Sequence, residues 1–133
     1  MTWTPLDADV AAFMAEYDSG SLHLFASPFL ALDPARAVAV TPAQLGAALP
    51  ARRAMFDRAG VGPLQRTTTR QQRLDDKHIL VGAAWSADRT SGEPFTTTAT
   101  LLLRREDTTF QIMVYLNHTD LAAALTPPTE PQP

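Results

Sequence analysis

His118 and Asp120 stand two residues apart near the end of the chain. An imidazole and a carboxylate are the side chains best suited to moving a proton near neutral pH. Asp33, followed directly by Pro34, is a third group of this kind. Side chains of these types can move a proton, with His118 as acid or base and Asp33 or Asp120 assisting. Each has an ordinary alternative: an Asp before Pro starts turns, and a strand-end histidine is commonly a hydrogen-bonded surface residue. No metal or cofactor is expected. The chain has no cysteine, which removes thiolate metal sites and thiol nucleophiles, and its three histidines lack the HxH or HExxH spacing of metal ligands. Neither a GxSxG turn nor a GxGxxG or Walker-type loop occurs.

The elements that must position these groups follow from periodicity. Leu6, Val10, Phe13, Met14 and Tyr17 recur at helical spacing, with Gly20 just past the end. Residues 21–26 read as one more helical turn that Pro28 stops, and residues 29–32 and 37–40 as short strands around the Asp33-Pro34 turn. Thr41-Pro42 opens a longer helix that Gly60 ends, and Pro50 inside it predicts a kink or a break. Beyond Pro63 the period changes to two. Residues 64–74, the run Ile79, Val81, Ala83, Trp85, residues 95–104, and the run Phe110, Ile112, Val114, Leu116 predict four strands in successive hairpins, turning at Asp75-Asp76, at Gly92 and at Glu106-Asp107. This is an α+β arrangement, with helices laid across one face of a curved antiparallel sheet to leave a cone open at one end. Residues 1–126 form the single domain, and residues 127–133, with four prolines, predict a disordered tail.

Composition bounds the function. With 133 residues, 45% apolar and 19% charged, the chain can bury one core. A net charge of −3 argues against a general nucleic-acid binder, and the absence of a long apolar run or a signal-like start predicts a cytoplasmic protein with no membrane partner. Charge is nevertheless polarised. Positions 52–77 carry seven basic residues and three acids, whereas positions 1–51 carry one arginine and five acids. A solvated face is the ordinary explanation, and an anionic ligand or partner is the other.

The runs FMAEYDSGSLHLFASPFLALDP, LDDKHILVGAAWSADRTSGE and FQIMVYLNH, with the helix ending before Gly60, resemble the NTF2-like superfamily, which includes SnoaL-like cyclases and ketosteroid isomerase; the likeness spans about residues 6–120. The resemblance implies a cone-shaped α+β barrel, often homodimeric, in either an enzyme or a non-catalytic binding module. Asp33-Pro34 after Phe25-Ala26 matches the spacing of the isomerase base. The oxyanion donors of that reaction are missing, because Phe13 stands where the helix tyrosine would and residues 95–103 contain no acid. An epoxide-hydrolase-like Asp–Arg–Asp set fails as well, since Arg66 and Arg70 have no carboxylate within the strands.

The expected ligand is therefore a small apolar or carbonyl-containing molecule. Its expected lining is Phe13, Tyr17, Phe29, Trp85, Val114 and Leu116, with His118 continuing the parity of the last strand into the hollow. Leu80, Leu102, Met113 and Tyr115 on the opposite parity predict an outer apolar sheet face that pairs two copies as a homodimer. A non-catalytic interaction module is the alternative reading.

Overall fold

The computed structural model describes residues 2–125, so the proline-rich stretch at 127–133 lies outside the described residues. Helix α1 (Ala8–Asp18) is followed by a 3-10 turn (Leu22–Leu24), β1 (Phe25–Leu32), β2 (Ala37–Val40), α2 (Pro42–Arg58), β3 (Gln65–Arg73), β4 (His78–Ala87), β5 (Phe95–Glu106), β6 (Thr109–Asn117) and a short α3 (Leu121–Leu125). The six strands form one curved sheet in the order β2-β1-β6-β5-β4-β3, which does not close. Strands β3 to β6 pair as successive antiparallel hairpins. The expectation of a wholly antiparallel sheet is corrected at one place, where β1 lies parallel to β6. That pairing joins the two ends of the fold through about eighty intervening residues, and no local pattern announces it.

Strand β1 also begins earlier than its proline suggested. It runs from Phe25 through Pro28, because β2 pairs only from Phe29 onward and the pairing with β6 is irregular between Phe25 and Leu30. A residue without an N–H is tolerated where the ladder does not call on it. Helix α2 likewise passes Pro50 as one element. Its start is secured by a reciprocal cap in which Thr41 Oγ1 accepts from Gln44 N–H and Gln44 Oε1 accepts from Thr41 N–H. Gly46 lets the helix sit close on the 3-10 turn, since a Cβ there would come within 2.9 Å of Leu22 Cδ1.

The core lies between α1 and the concave face of the sheet. Val10, Phe13 and Met14 pack there against Ile79, Val81, Leu101, Leu103, Phe110 and Ile112. A smaller cluster of Phe56, Val61, Ala87, Phe95, Leu121 and Leu125 ties α2 and α3 to the far end of the sheet. Acidic side chains of the N-terminal segment meet arginines of the sheet: Asp7 with Arg73 at 3.0 Å, Asp9 with Arg105 at 2.7 Å and Asp18 with Arg66 at 2.7 Å. Much of the charge polarity of the sequence is thus internal complementarity. The chain before α1 adds a rung to the outer edge of β3 through reciprocal Thr4–Gln71 backbone bonds of 2.8 Å. Trp3 then lies over Gly82, where a Cβ would approach the indole to 3.3 Å. Among the described residues no helix is long and apolar enough to cross a membrane.

Candidate functional site

Below α1 the concave face is not filled. A cavity of about 680 Å³ opens between the sheet and α2, within the size range of small-molecule sites. Its walls come from several elements. Tyr17 and Asp18 close the end of α1, and Phe25, Phe29 and Ala31 project from β1. Gln44, Leu45, Ala48, Leu49 and Arg52 form the underside of α2, and Trp85, Thr97, Ala99, Tyr115 and Asn117 come from β4, β5 and β6.

The last two depend on an irregularity in β6. Leu103 pairs with Ile112 but Leu102 pairs with Val114, so Met113 is an extra residue without a partner on β5. A bulge of one residue exchanges the faces of everything beyond it. Ile112 faces the core, whereas Tyr115 and Asn117 face the hollow, opposite Leu101 and Ala99. Val114, Leu116 and His118 pass to the convex side.

Three of the expected lining residues are therefore in place and three are not. Tyr17, Phe29 and Trp85 line the cavity. Phe13 is buried in the core against Phe110, with ring centroids 5.9 Å apart. Val114 pairs beside Leu102 and Leu30, and Leu116 beside Thr100 and Leu32, all on the outer face. Tyr115, expected outside, is inside, and Met113 packs against the inner core. The three proposed proton-transfer groups also lie elsewhere. His118 has Nδ1 2.7 Å from Thr98 Oγ1 and Nε2 2.9 Å from Thr100 Oγ1, on the convex face. Asp33 accepts from the backbone N–H groups of Ala35 and Arg36 at 2.7 and 2.9 Å, which makes it a turn residue. Asp120 meets Arg36 at 3.5 Å and accepts from Ala123 N–H at the start of α3.

Inside the cavity, Tyr17 is surrounded by Phe25, Trp85 and Tyr115, with centroid separations of 6.2 to 6.4 Å. Its hydroxyl donates to that of Tyr115 at 3.3 Å. Burial, reinforced by Tyr115, holds the Tyr17 phenol well above its ordinary pKa and therefore neutral. Tyr115 can pass on a proton of its own to a ligand oxygen. Thr97 and Asn117 add a hydroxyl and an amide beside it, 3.5 Å apart. Asp18 also lines the hollow, but Arg66 holds both of its oxygens with bonds of 2.7 to 3.2 Å. Among the described residues no group of three or more His, Asp or Glu side chains gathers as metal ligands would, and no buried polar side-chain atom lacks a partner.

Sequence reasoning missed Tyr115, Asn117, Thr97, Gln44 and Arg52. The helix residues carried a usable signal, because Gln44, Ala48 and Arg52 follow one another at four-residue spacing on a single face.

No family model matches this chain, and no curated protein does. Solved structures do match. ActVI-ORFA from Streptomyces coelicolor is 16% identical with a TM-score of 0.61, covering 85% of this chain and 96% of its own. An NTF-2 like protein of unknown function from Shewanella oneidensis MR-1 is 15% identical with a TM-score of 0.59, covering 82% and 88%. The fold is NTF2-like. A third neighbour, a hypothetical protein with a ketosteroid isomerase-like fold from Catenulispora acidiphila, is 20% identical with a TM-score of 0.55, covering 87% and 86%, and was solved in complex with trimethylamine. At these identities the NTF2-like architecture is common ground and the chemistry of each hollow is its own.

Proposed function

We propose that this protein binds a small, largely apolar molecule bearing a carbonyl or hydroxyl oxygen within the concave hollow. The observation that carries this reading is the lining itself: aromatic and aliphatic walls from Phe25, Phe29, Leu45, Leu49 and Trp85, with neutral hydrogen-bonding groups gathered at Tyr17, Tyr115, Thr97 and Asn117. Such a site grips an apolar body and fixes its orientation by a few hydrogen bonds. Proton abstraction lacks an agent there. No imidazole lines the hollow among the described residues, and its one carboxylate, Asp18, is occupied by Arg66. The protein is accordingly a binder that holds its ligand and offers hydrogen bonds to it. A thermal-shift screen against hydrophobic ketones and phenols tests this, since a ligand that favours the folded state raises the midpoint. A hit that loses its shift in Trp85→Ala supports the reading, and a hit whose shift is unaltered there overturns it.

A second reading concerns assembly. The bulge sends Val114 and Leu116 outward to join Leu30, Leu80 and Leu102 on one convex surface, where Leu30 is 47% exposed. We propose that two copies meet through this face. Light scattering at micromolar concentration should give the mass of a dimer, and a clean monomer rejects it.

A further inference from the structure

Resting on that reading of the hollow, we propose that its ligand is an apolar carboxylic acid and that Arg52 receives the carboxylate. Arg52 stands on the cavity-facing side of α2, one turn beyond Ala48 and two beyond Gln44, and is half-buried. Among the described residues it has no carboxylate partner, and its guanidinium lies over the face of Phe56, 5.8 Å from the ring centroid, where it also borders a neighbouring cavity lined by Phe56 and Arg53. Arg66, the other cation of the lining, is neutralised by Asp18 at 2.7 Å. One unbalanced positive charge therefore remains at the edge of an apolar hollow, within a chain whose net charge is −3.

Of the other arginines, Arg36, Arg73, Arg104 and Arg105 have carboxylates within 4 Å, whereas Arg53, Arg58, Arg70 and Arg89 lie exposed on the surface. Unmatched arginines on open surface are satisfied by water, but Arg52 borders apolar walls where water is a poorer substitute. Its charge reaches into the hollow, since it favours the ionised form of Tyr17 against the effect of burial. A planar guanidinium offers a carboxylate two parallel N–H groups, a fit that an ammonium does not reproduce. Bound this way, the acid would lie along the hollow with its charged end at α2 and its ring body between Phe29 and Trp85.

The test is calorimetric titration of the protein at neutral pH with 2-naphthoic acid, methyl 2-naphthoate and 2-naphthylmethylamine, which share a ring system and differ in charge. The acid should bind about tenfold or more tightly than the ester, and the amine most weakly, the margin expected of a charge-assisted hydrogen bond. Arg52→Gln should lower the affinity for the acid by a similar factor and leave the ester within about twofold. If Arg52→Gln fails to fold, Arg52→Lys replaces it and should retain only part of the preference for the acid. Equal binding of acid and ester, or an Arg52 variant that binds the acid as the native protein does, overturns the assignment while leaving the apolar binding site intact. Binding of none of the three at millimolar concentration overturns both.

Discussion

The Tyr115 hydroxyl is open to donate to a ligand, because Tyr17 donates its own proton to the Tyr115 oxygen. Its removal should therefore be felt by the ligand more than by the fold. Tyr115→Phe is expected to weaken a carbonyl probe by about 1 kcal/mol, roughly a fivefold rise in Kd, as is typical of one net hydrogen bond. His118→Ala, by contrast, should leave the affinity of the same probe unchanged by calorimetry, because its imidazole lies between Thr98 and Thr100 on the convex face. The pair of variants separates the two faces of β6 with one assay. A His118→Ala protein that loses ligand affinity would place the imidazole inside and refute the face assignment.

At the scale of elements, α2 forms one wall of the hollow and depends on its first turn. Thr41→Ala removes the half of the reciprocal cap in which Thr41 Oγ1 accepts from Gln44 N–H, and should cost about 1 kcal/mol of stability in a urea titration. Helix α1 is tied down differently. Asp7 has its pKa lowered first by a hydrogen bond from Gln71 and then by Arg73, and Asp9 first by Arg105. Both carboxyls therefore bind protons less readily when folded than when unfolded. The stability they contribute is complete above the unfolded value and drains away as pH falls through the folded one. Urea midpoints should thus decline below about pH 4, and Asp7→Asn should flatten that decline. An acid limb unchanged by the substitution would refute the account. Most elements were legible, because helical spacing in residues 6–17 and alternation in residues 78–87 each had one periodicity to follow. The face of β6 was not. Met113, Val114, Tyr115 and Leu116 are apolar or aromatic on both parities, so an extra residue among them leaves no trace in the pattern. Trp85 was readable as an inward residue because β4 keeps an undisturbed alternation from His78 to Ala87, whereas Tyr115 and Asn117 lay beyond the bulge.

At the scale of the whole molecule, an open sheet has two edges and two faces to account for. Thr4 pairs with the outer edge of β3, while β2 presents the uncharged run Ala37–Val40 at the other, with Val38 47% exposed. An edge of that kind without charge or proline is a site for unwanted pairing. Val38→Lys should therefore reduce aggregation on prolonged incubation, followed by turbidity, without changing the melting midpoint. The proposed association through the convex face is a separate matter, and on that proposal Leu102→Lys should shift the light-scattering mass to that of a monomer while Val38→Lys does not. The single unpaired residue in β6 connects both faces. Excising Met113 would restore strict alternation through the end of the strand, bringing Val114, Leu116 and the imidazole of His118 inward and expelling Tyr115 and Asn117. A one-codon deletion would then exchange a hydroxyl-lined hollow for a greasy chamber with an imidazole at its mouth, so the length of this strand, more than its composition, sets the chemistry of the cavity.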